Sequence, residues 1–119
     1  MLADINATRS RSGLPALKLD PKLSAIARQH GIDMATHGYF DHASQNGQTP
    51  FDRMKKDRIA FGWAGENIAQ SDDEPSAYRA LLESPEHFRN IVQRHFQKVG
   101  IGAVVAPDGS MLFVQDFTD

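Results

Sequence analysis

The segment VGIGAVVAPDGSMLFVQDF, residues 99–117, decides the fold. Apolar residues run through 99–105 and again through 111–117, and the sequence Pro107-Asp108-Gly109 between them is typical of a turn. We therefore predict two antiparallel strands. Neither strand has a clean polar face, which predicts a sheet covered on both sides. Gly100 and Gly102 would let another backbone or a helix approach the sheet closely.

Helices are predicted to provide that cover, because start and stop signals punctuate the rest of the chain. The predicted helices run from Leu2 to about Arg11, from Pro21 to about His37, from Pro50 to about Lys56, from Pro75 to Glu83, and onward from Ser84-Pro85. The second carries a stripe with the spacing of a buried helix face: Leu23, Ile26, Ala27, His30 and Met34.

The connections are harder to assign. Residues 62–71 show no regular pattern, but a sheet of two strands would be only marginally stable. We therefore expect further short strands around residues 14–19 and 60–70. The prediction is a single layered domain of the α+β class spanning residues 1–119.

Composition excludes several classes of function. The chain has 119 residues and a net charge of -2, which gives no electrostatic drive toward nucleic acid or anionic lipid. It has no cysteine, so a disulfide framework, a thiolate zinc site and a cysteine nucleophile are excluded. No stretch approaches the roughly 20 apolar residues of a membrane span. No signal-peptide pattern precedes Asp4, and we expect a domain cut from a longer precursor.

Three of the five histidines are expected to be structural or isolated. His30 and His37 lie seven residues apart on one helix, about 10 Å along its axis, so they cannot share one metal ion. His30 falls in the apolar stripe of that helix. His95 falls on the predicted apolar stripe of the last helix, with Phe88 and Ile91.

His42, His87 and Glu66 are the candidates for chemistry. His42 lies in a polar loop, and His87 lies in the first turn of a helix, where the dipole favours the neutral imidazole needed for metal binding or base catalysis. Glu66 lies in a segment of low charge and is expected to be partly buried. It would then either form a salt bridge, with Arg53 or Arg89, or orient an imidazole.

The segment YFDHASQNGQTPFDR (39–53) closely resembles the bacterial branch of the CAP superfamily, the cysteine-rich secretory protein, antigen 5 and pathogenesis-related 1 proteins, also called SCP domains. Further blocks resemble the family in its own order: INATR (5–9), GLPAL (13–17), AGENIA (64–69), SPEHFRNI (84–91), VGIG (99–102) and VQDF (114–117). The resemblance implies a three-layer α-β-α sandwich and an extracellular or cell-surface location. It also implies a large cleft that in many members carries two histidines and two acidic residues and can hold a divalent metal, often zinc.

Within this resemblance, His42 and His87 match the two histidines and Glu66 matches the first acid. The helix that carries the second acid in other members has no convincing match here, since Glu83 occupies a different position. We therefore expect Zn²⁺ or another divalent metal to be held only weakly, by His42 and His87. The predicted cleft also includes Ser44, Asn67 and Asn90.

Several functions are compatible with this pattern. One is a secreted or cell-surface domain that binds a small amphipathic ligand, a peptide, a lipid or a wall fragment. The alternative is a peptidase-like, metal-assisted hydrolase with Glu66 as general base or as the carboxylate that orients a metal ligand. A serine mechanism through Ser44 or Ser84 is disfavoured, because Ser84 is expected to cap a helix and neither serine lies in a G-x-S-x-G turn. A purely structural polar centre is the third reading. We expect a monomer.

Overall fold

The computed structural model describes residues 1–119. Its elements are α1 (Leu2–Arg11), β1 (Lys18–Leu19), α2 (Pro21–His37), α3 (Pro50–Lys56), β2 (Ala64–Ser71), α4 (Glu74–Glu83), α5 (Pro85–Ile91), β3 (Lys98–Val105) and β4 (Met111–Thr118). The four strands form one sheet in the order β1-β3-β4-β2. β2, β3 and β4 pair antiparallel, while the two-residue edge strand β1 pairs parallel with β3.

The helices cover both faces of this sheet, which confirms the three-layer α-β-α sandwich. On one face, a cluster joins α2 to the sheet through Ala27, Met34, Ile68, Leu112 and Val114. On the other face, α1, α4 and α5 share a larger cluster with the strands, whose members include Ile5, Tyr78, Leu81, Ile91, Val99, Phe113 and Phe117.

The packing of α2 depends on two glycines of β3. A Cβ at Gly100 would lie 2.1 Å from the carbonyl carbon of Leu23, and one at Gly102 would lie 2.5 Å from the backbone nitrogen of Arg28. Both positions point toward backbone atoms of α2, which cannot move aside as a side chain can. The close approach predicted from the sequence is therefore confirmed.

Local capping explains where α2 begins and ends. Asp20 accepts a hydrogen bond from the backbone nitrogen of Leu23, and Pro21 fills the first helical position. Gly38 ends the helix in the left-handed conformation, at φ 68°. All five residues of the predicted apolar stripe are buried, His30 among them at 2% exposure.

Two sequence predictions were wrong in part. Residues 64–71 form a strand as long as each strand of the hairpin, because β4 offers a full register of partners from Ala64↔Thr118 to Ser71↔Met111. The last helix ends at Ile91, so the predicted stripe does not continue along it, and Phe88 is 37% exposed.

No helix has the length and apolar character needed to cross a membrane.

Candidate functional site

The loop that carries His42 is held in place by its own polar residues and by two neighbouring helices. From α2, His30 Nε2 donates to the carbonyl of Asp41 at 2.8 Å. From α3, Arg53 Nη1 donates to the carbonyls of His42 and Gln48 and to Ser44 Oγ, at 3.0, 3.2 and 3.0 Å. These bonds fix the backbone on both sides of His42.

Capping interactions also fix the start of α3, the helix that carries Arg53. Thr49 and Asp52 form a reciprocal capping box, in which each side chain accepts from the backbone nitrogen of the other. Pro50 follows as the first helical residue. The side chain of Arg53 is 11% exposed and reaches β2, where its Nη2 bonds Glu66 Oε2 at 3.0 Å.

Glu66 is the buried centre of the polar cluster, with 1% of its side chain exposed. Its Oε1 accepts from His42 Nδ1 at 2.9 Å, and its Oε2 pairs with Arg53. Of the two roles predicted for Glu66, an arginine salt bridge and an oriented imidazole, it has both, and the arginine is Arg53 and not Arg89. Burial acts to raise the pKa of Glu66, but the hydrogen bond from His42 and the charge of Arg53 outweigh it and lower that pKa.

His42 has one ring nitrogen inside the cluster and one outside it. Its Nδ1 donates to Glu66, while Nε2 makes no hydrogen bond within the chain and half of the side chain is exposed. The hydrogen bond to Glu66 raises the pKa of His42, against the opposing effect of partial burial. The ring therefore offers Nε2 to a ligand in a fixed orientation, as a donor when protonated and as an acceptor when neutral.

His87 lies in the first turn of α5, with Nδ1 2.7 Å from Ser84 Oγ. Burial, and then the charge of His42, lower the pKa of His87. The charge of His42 therefore acts on His87 in the direction that disfavours a second imidazolium. The lowered pKa favours the neutral form expected at this position, and its leading cause is burial.

The hydroxyl of Ser84 does not form the helix cap that the sequence predicts. Ser84 occupies the N-cap position of α5, yet its side chain makes no capping bond and instead contacts the ring of His87. No acidic side chain bonds the other nitrogen of that ring. The Ser84–His87 pair therefore lacks the third group that orients the base in a serine hydrolase.

A pocket of about 500 Å³ opens beside His42. Its polar lining includes His42, Glu66 and Asn90, and its apolar lining includes Pro50, Phe51 and Ala64. Asn90 holds α5 against β2 by donating to the carbonyl of Glu66 at 3.1 Å and to Asn67 Oδ1 at 2.9 Å. His87 is not among the residues that line the pocket.

Two of the predicted cleft residues lie elsewhere. Ser44 lines a separate polar pocket of about 340 Å³, with His30 and Arg53. Asn67 alternates with Glu66 along β2 and is therefore on the opposite face of the sheet, 1% exposed. Its amide donates to the carbonyl of His87 at 3.1 Å and to Gln115 Oε1 at 3.1 Å, so it supports α5 from beneath.

Asp116 belongs to the polar cluster but was not predicted from the sequence. This residue pairs directly with Glu66 in the β2–β4 register, and only 1% of it is exposed. The available signal was an acidic residue inside the apolar strand VQDF, but the register that brings it to Glu66 depends on the full length of β2. His30 is buried and supports the loop as expected, whereas His95 lies beyond the end of α5 and stacks on Trp63 with ring centroids 3.8 Å apart.

The donor set is small for a metal ion. No group of three His, Cys, Asp or Glu side chains is arranged to hold one. The oxygens of Glu66 bond His42 and Arg53, so Glu66 fits the carboxylate that orients a metal-binding imidazole better than it fits a ligand. Two imidazoles alone are one ligand short of a usual catalytic zinc site.

Comparison with known proteins agrees with this architecture. The profile of the Cysteine-rich secretory protein family (CAP) matches residues 2–117. Bacillus subtilis protein YkwD is 37% identical over 113 residues, which cover 94% of this chain and 43% of YkwD. The chain therefore spans less than half the length of this relative.

Solved structures share the same fold. An extracellular protein containing an SCP domain, from Bacillus anthracis, superposes with a TM-score of 0.87 at 31% identity, over 98% of this chain and 38% of that one. An outer surface protein of Borrelia burgdorferi superposes with a TM-score of 0.92 at 24% identity, over 99% of this chain and 88% of that one. Because the family profile matches nearly the whole chain, the chain belongs to the CAP, or cysteine-rich secretory protein, family.

Proposed function

We propose that this chain is an extracellular or cell-surface binding domain whose pocket beside His42 takes a small amphipathic ligand. A pocket of about 500 Å³ falls within the range that small-molecule sites occupy. Phe51 and Pro50 would contact the apolar part of the ligand. His42 and Asn90 would contact its polar end. Lipids with a short chain, peptides and wall fragments all combine these two features.

The observation that carries the proposal is the fixed imidazole of His42. Its Nδ1 is committed to a buried carboxylate, and its Nε2 has no partner in the chain although half of the side chain is exposed. A polar group that is oriented in advance loses little freedom when it binds a ligand. The raised pKa of His42 favours its protonated form, which suits an anionic or carbonyl end group.

Two relatives support the location outside the cytoplasm. The Bacillus anthracis protein is described as extracellular, and the Borrelia protein is described as an outer surface protein. The absence of cysteine neither helps nor opposes this placement, because the buried clusters on both sides of the sheet give the chain a core without a disulfide.

The test is a titration of the ¹⁵N-labelled chain with three probes, followed by two-dimensional NMR: sodium decanoate, an N-acetylated tripeptide and a soluble muropeptide. With at least one probe we expect saturable shifts of the backbone signals of residues 42–44, 64–66 and 90. His42→Gln should reduce that affinity at least tenfold while the chain stays folded. An unresponsive pocket with all three probes would count against the proposal.

A metal-dependent role is the second candidate, favoured by the two imidazoles whose Nε2 atoms have no partner in the chain. Because the donor set holds only these two ligands, we expect weak binding of Zn²⁺. Calorimetric titration with zinc chloride should show a weak site that His87→Ala removes. If the His87→Ala protein binds zinc as the parent does, the ion is not held between these two rings.

A further inference from the structure

Two carboxyl groups face each other beneath the candidate site. Glu66 on β2 and Asp116 on β4 are direct partners in the antiparallel register, so their side chains project from the same face of the sheet. Only 1% of the Glu66 side chain and 1% of Asp116 are exposed. The third strand contributes no side chain at this level, because the residue opposite Asp116 on β3 is Gly100.

The cationic side chains around this pair bond Glu66 and not Asp116. Arg53 from α3 bonds one oxygen of Glu66, and His42 from the loop bonds the other. His30 from α2 is the remaining titratable neighbour, and burial followed by the charge of Arg53 lowers its pKa, which favours the neutral ring. Asp116 has no such partner, and its Oδ1 makes no hydrogen bond.

An ionised Asp116 would therefore be a buried charge without a counterion, next to a second carboxylate. Two carboxyl groups that share a buried site do not both ionise readily, and the usual outcome is one carboxylate and one acid joined by a hydrogen bond. Here the ion pair with Arg53 and the bond from His42 determine which group keeps the charge. Glu66 is the carboxylate.

We propose that Asp116 is a positioning residue of the site: it stays protonated in the folded protein and donates its carboxyl hydrogen to Glu66, which remains the single buried anion that orients His42 and Arg53. The protonated carboxyl group of Asp116 is then the hydrogen-bond donor from β4 to Glu66. The assignment concerns the charge state of the chain alone. Its test is therefore independent of any ligand, and its failure can be told apart from a failure of the proposed function.

The electrostatic environment points the same way. Burial, and then the charge of Glu66, raise the pKa of Asp116 well above its ordinary value. The opposing charge of Arg53 is the smallest of these influences. Because the two groups are neighbours, one proton belongs to the pair, and the geometry places it on Asp116.

The direct test observes the side-chain carboxyl carbons of the unmodified protein by ¹³C NMR between pH 4 and pH 8. Asp116→Asn identifies the Asp116 signal by its loss. We expect that signal to stay at the position of a protonated acid at pH 6, where the exposed aspartates have already titrated. A fully ionised Asp116 at pH 6 would overturn the assignment.

The pH profile of stability is the second test, and a merely space-filling Asp116 would not produce it. A raised folded pKa means that the folded state binds more protons, so folding weakens as pH rises from the unfolded pKa toward the folded one. Asp116→Asn keeps a neutral donor of the same shape and removes this loss of stability with rising pH. The folding constant of Asp116→Asn divided by that of the parent should therefore rise with pH, by up to about tenfold per pH unit.

Asp108→Asn is the matched control. Asp108 is exposed, and its bonds with Ser110 lower its pKa, so the ratio for this variant should stay constant between pH 5 and pH 8. A flat ratio for Asp116→Asn between pH 5 and pH 8, like that of the control, would mean that Asp116 holds no proton in the folded state.

Discussion

At the scale of single residues, Glu66 determines the geometry of the site. It occupies a strand position whose side chain is 1% exposed, and it bonds a loop histidine and a helix arginine together. Each bond alone is ordinary, but both converge on one buried carboxylate. Removing that charge would leave Arg53, itself largely buried, without its ion-pair partner.

We predict that Glu66→Gln lowers the free energy of unfolding by roughly 2–3 kcal/mol, the usual effect of losing a buried hydrogen bond to a charged group. Urea denaturation at pH 7 measures this. Glu83→Gln is the control, because Glu83 is exposed and forms no ion pair within 4 Å, and it should change stability by less than about 0.5 kcal/mol. Equal effects of the two substitutions would show that Glu66 does not hold the cluster.

His42 and His87 should affect the pH dependence of stability in opposite directions. The raised pKa of His42 gives a stabilisation that is complete below its unfolded value of 6.5 and is lost as pH rises through the folded pKa. The lowered pKa of His87 works the other way, since stability falls when pH drops through its unfolded value toward the folded one.

We therefore expect His42→Ala to destabilise the chain more at pH 5.5 than at pH 8.5, and His87→Ala to do so more at pH 8.5. Each change should remain below about 1 kcal/mol because both rings are partly exposed. Urea unfolding at the two pH values is the measurement, and each variant is the control for the other. A change of the same sign in both variants would contradict the assigned environments.

At the scale of elements, the site depends on how closely α2 packs on β3. The glycines at 100 and 102 bring the helix backbone against the strand, and His30 on that helix then reaches the carbonyl of Asp41. A wider helix–sheet spacing would move the support of the His42 loop outward. The glycines thus position a site to which they contribute no side chain.

We predict that Gly100→Ala destabilises the chain by about 3 kcal/mol or prevents folding, because the added Cβ would lie 2.1 Å from the Leu23 carbonyl carbon. Gly62→Ala is the control, since its Cβ would meet only the end of the Asp119 side chain, at 3.3 Å. Thermal unfolding followed by circular dichroism compares the two. The packing account fails if Gly100→Ala melts at the temperature of the control.

At the scale of the whole molecule, the sequence predicts the layers better than it predicts the sheet. Helix caps such as Asp20-Pro21 and the glycines of β3 are local signals, and the structure confirms both. β2 was harder to predict because Gly65-Glu66-Asn67 places polar side chains on both faces of a buried strand. Only pairing with β4 makes that segment a strand.

The same limit applies to the site. Local features of the sequence suggested His42, Glu66 and His87 and predicted the burial of Glu66, and the resemblance to the CAP family matched the same three residues. Asp116 and the placement of Asn67 depend on register and on the alternation of side chains along β2, which no local pattern in this sequence fixes. Ser44 was included for its place in the loop, but its hydroxyl bonds Arg53 in a neighbouring pocket.

The central claim is that His42 and His87, 45 positions apart in the sequence, belong to one electrostatic site. The most direct test is the imidazole titration of His87, followed by NMR in the parent protein and in His42→Gln. Because the charge of His42 helps to lower the pKa of His87, we predict that this pKa rises when His42 is replaced by a neutral residue. An unchanged pKa of His87 would contradict the account, since the two rings would then not share a site.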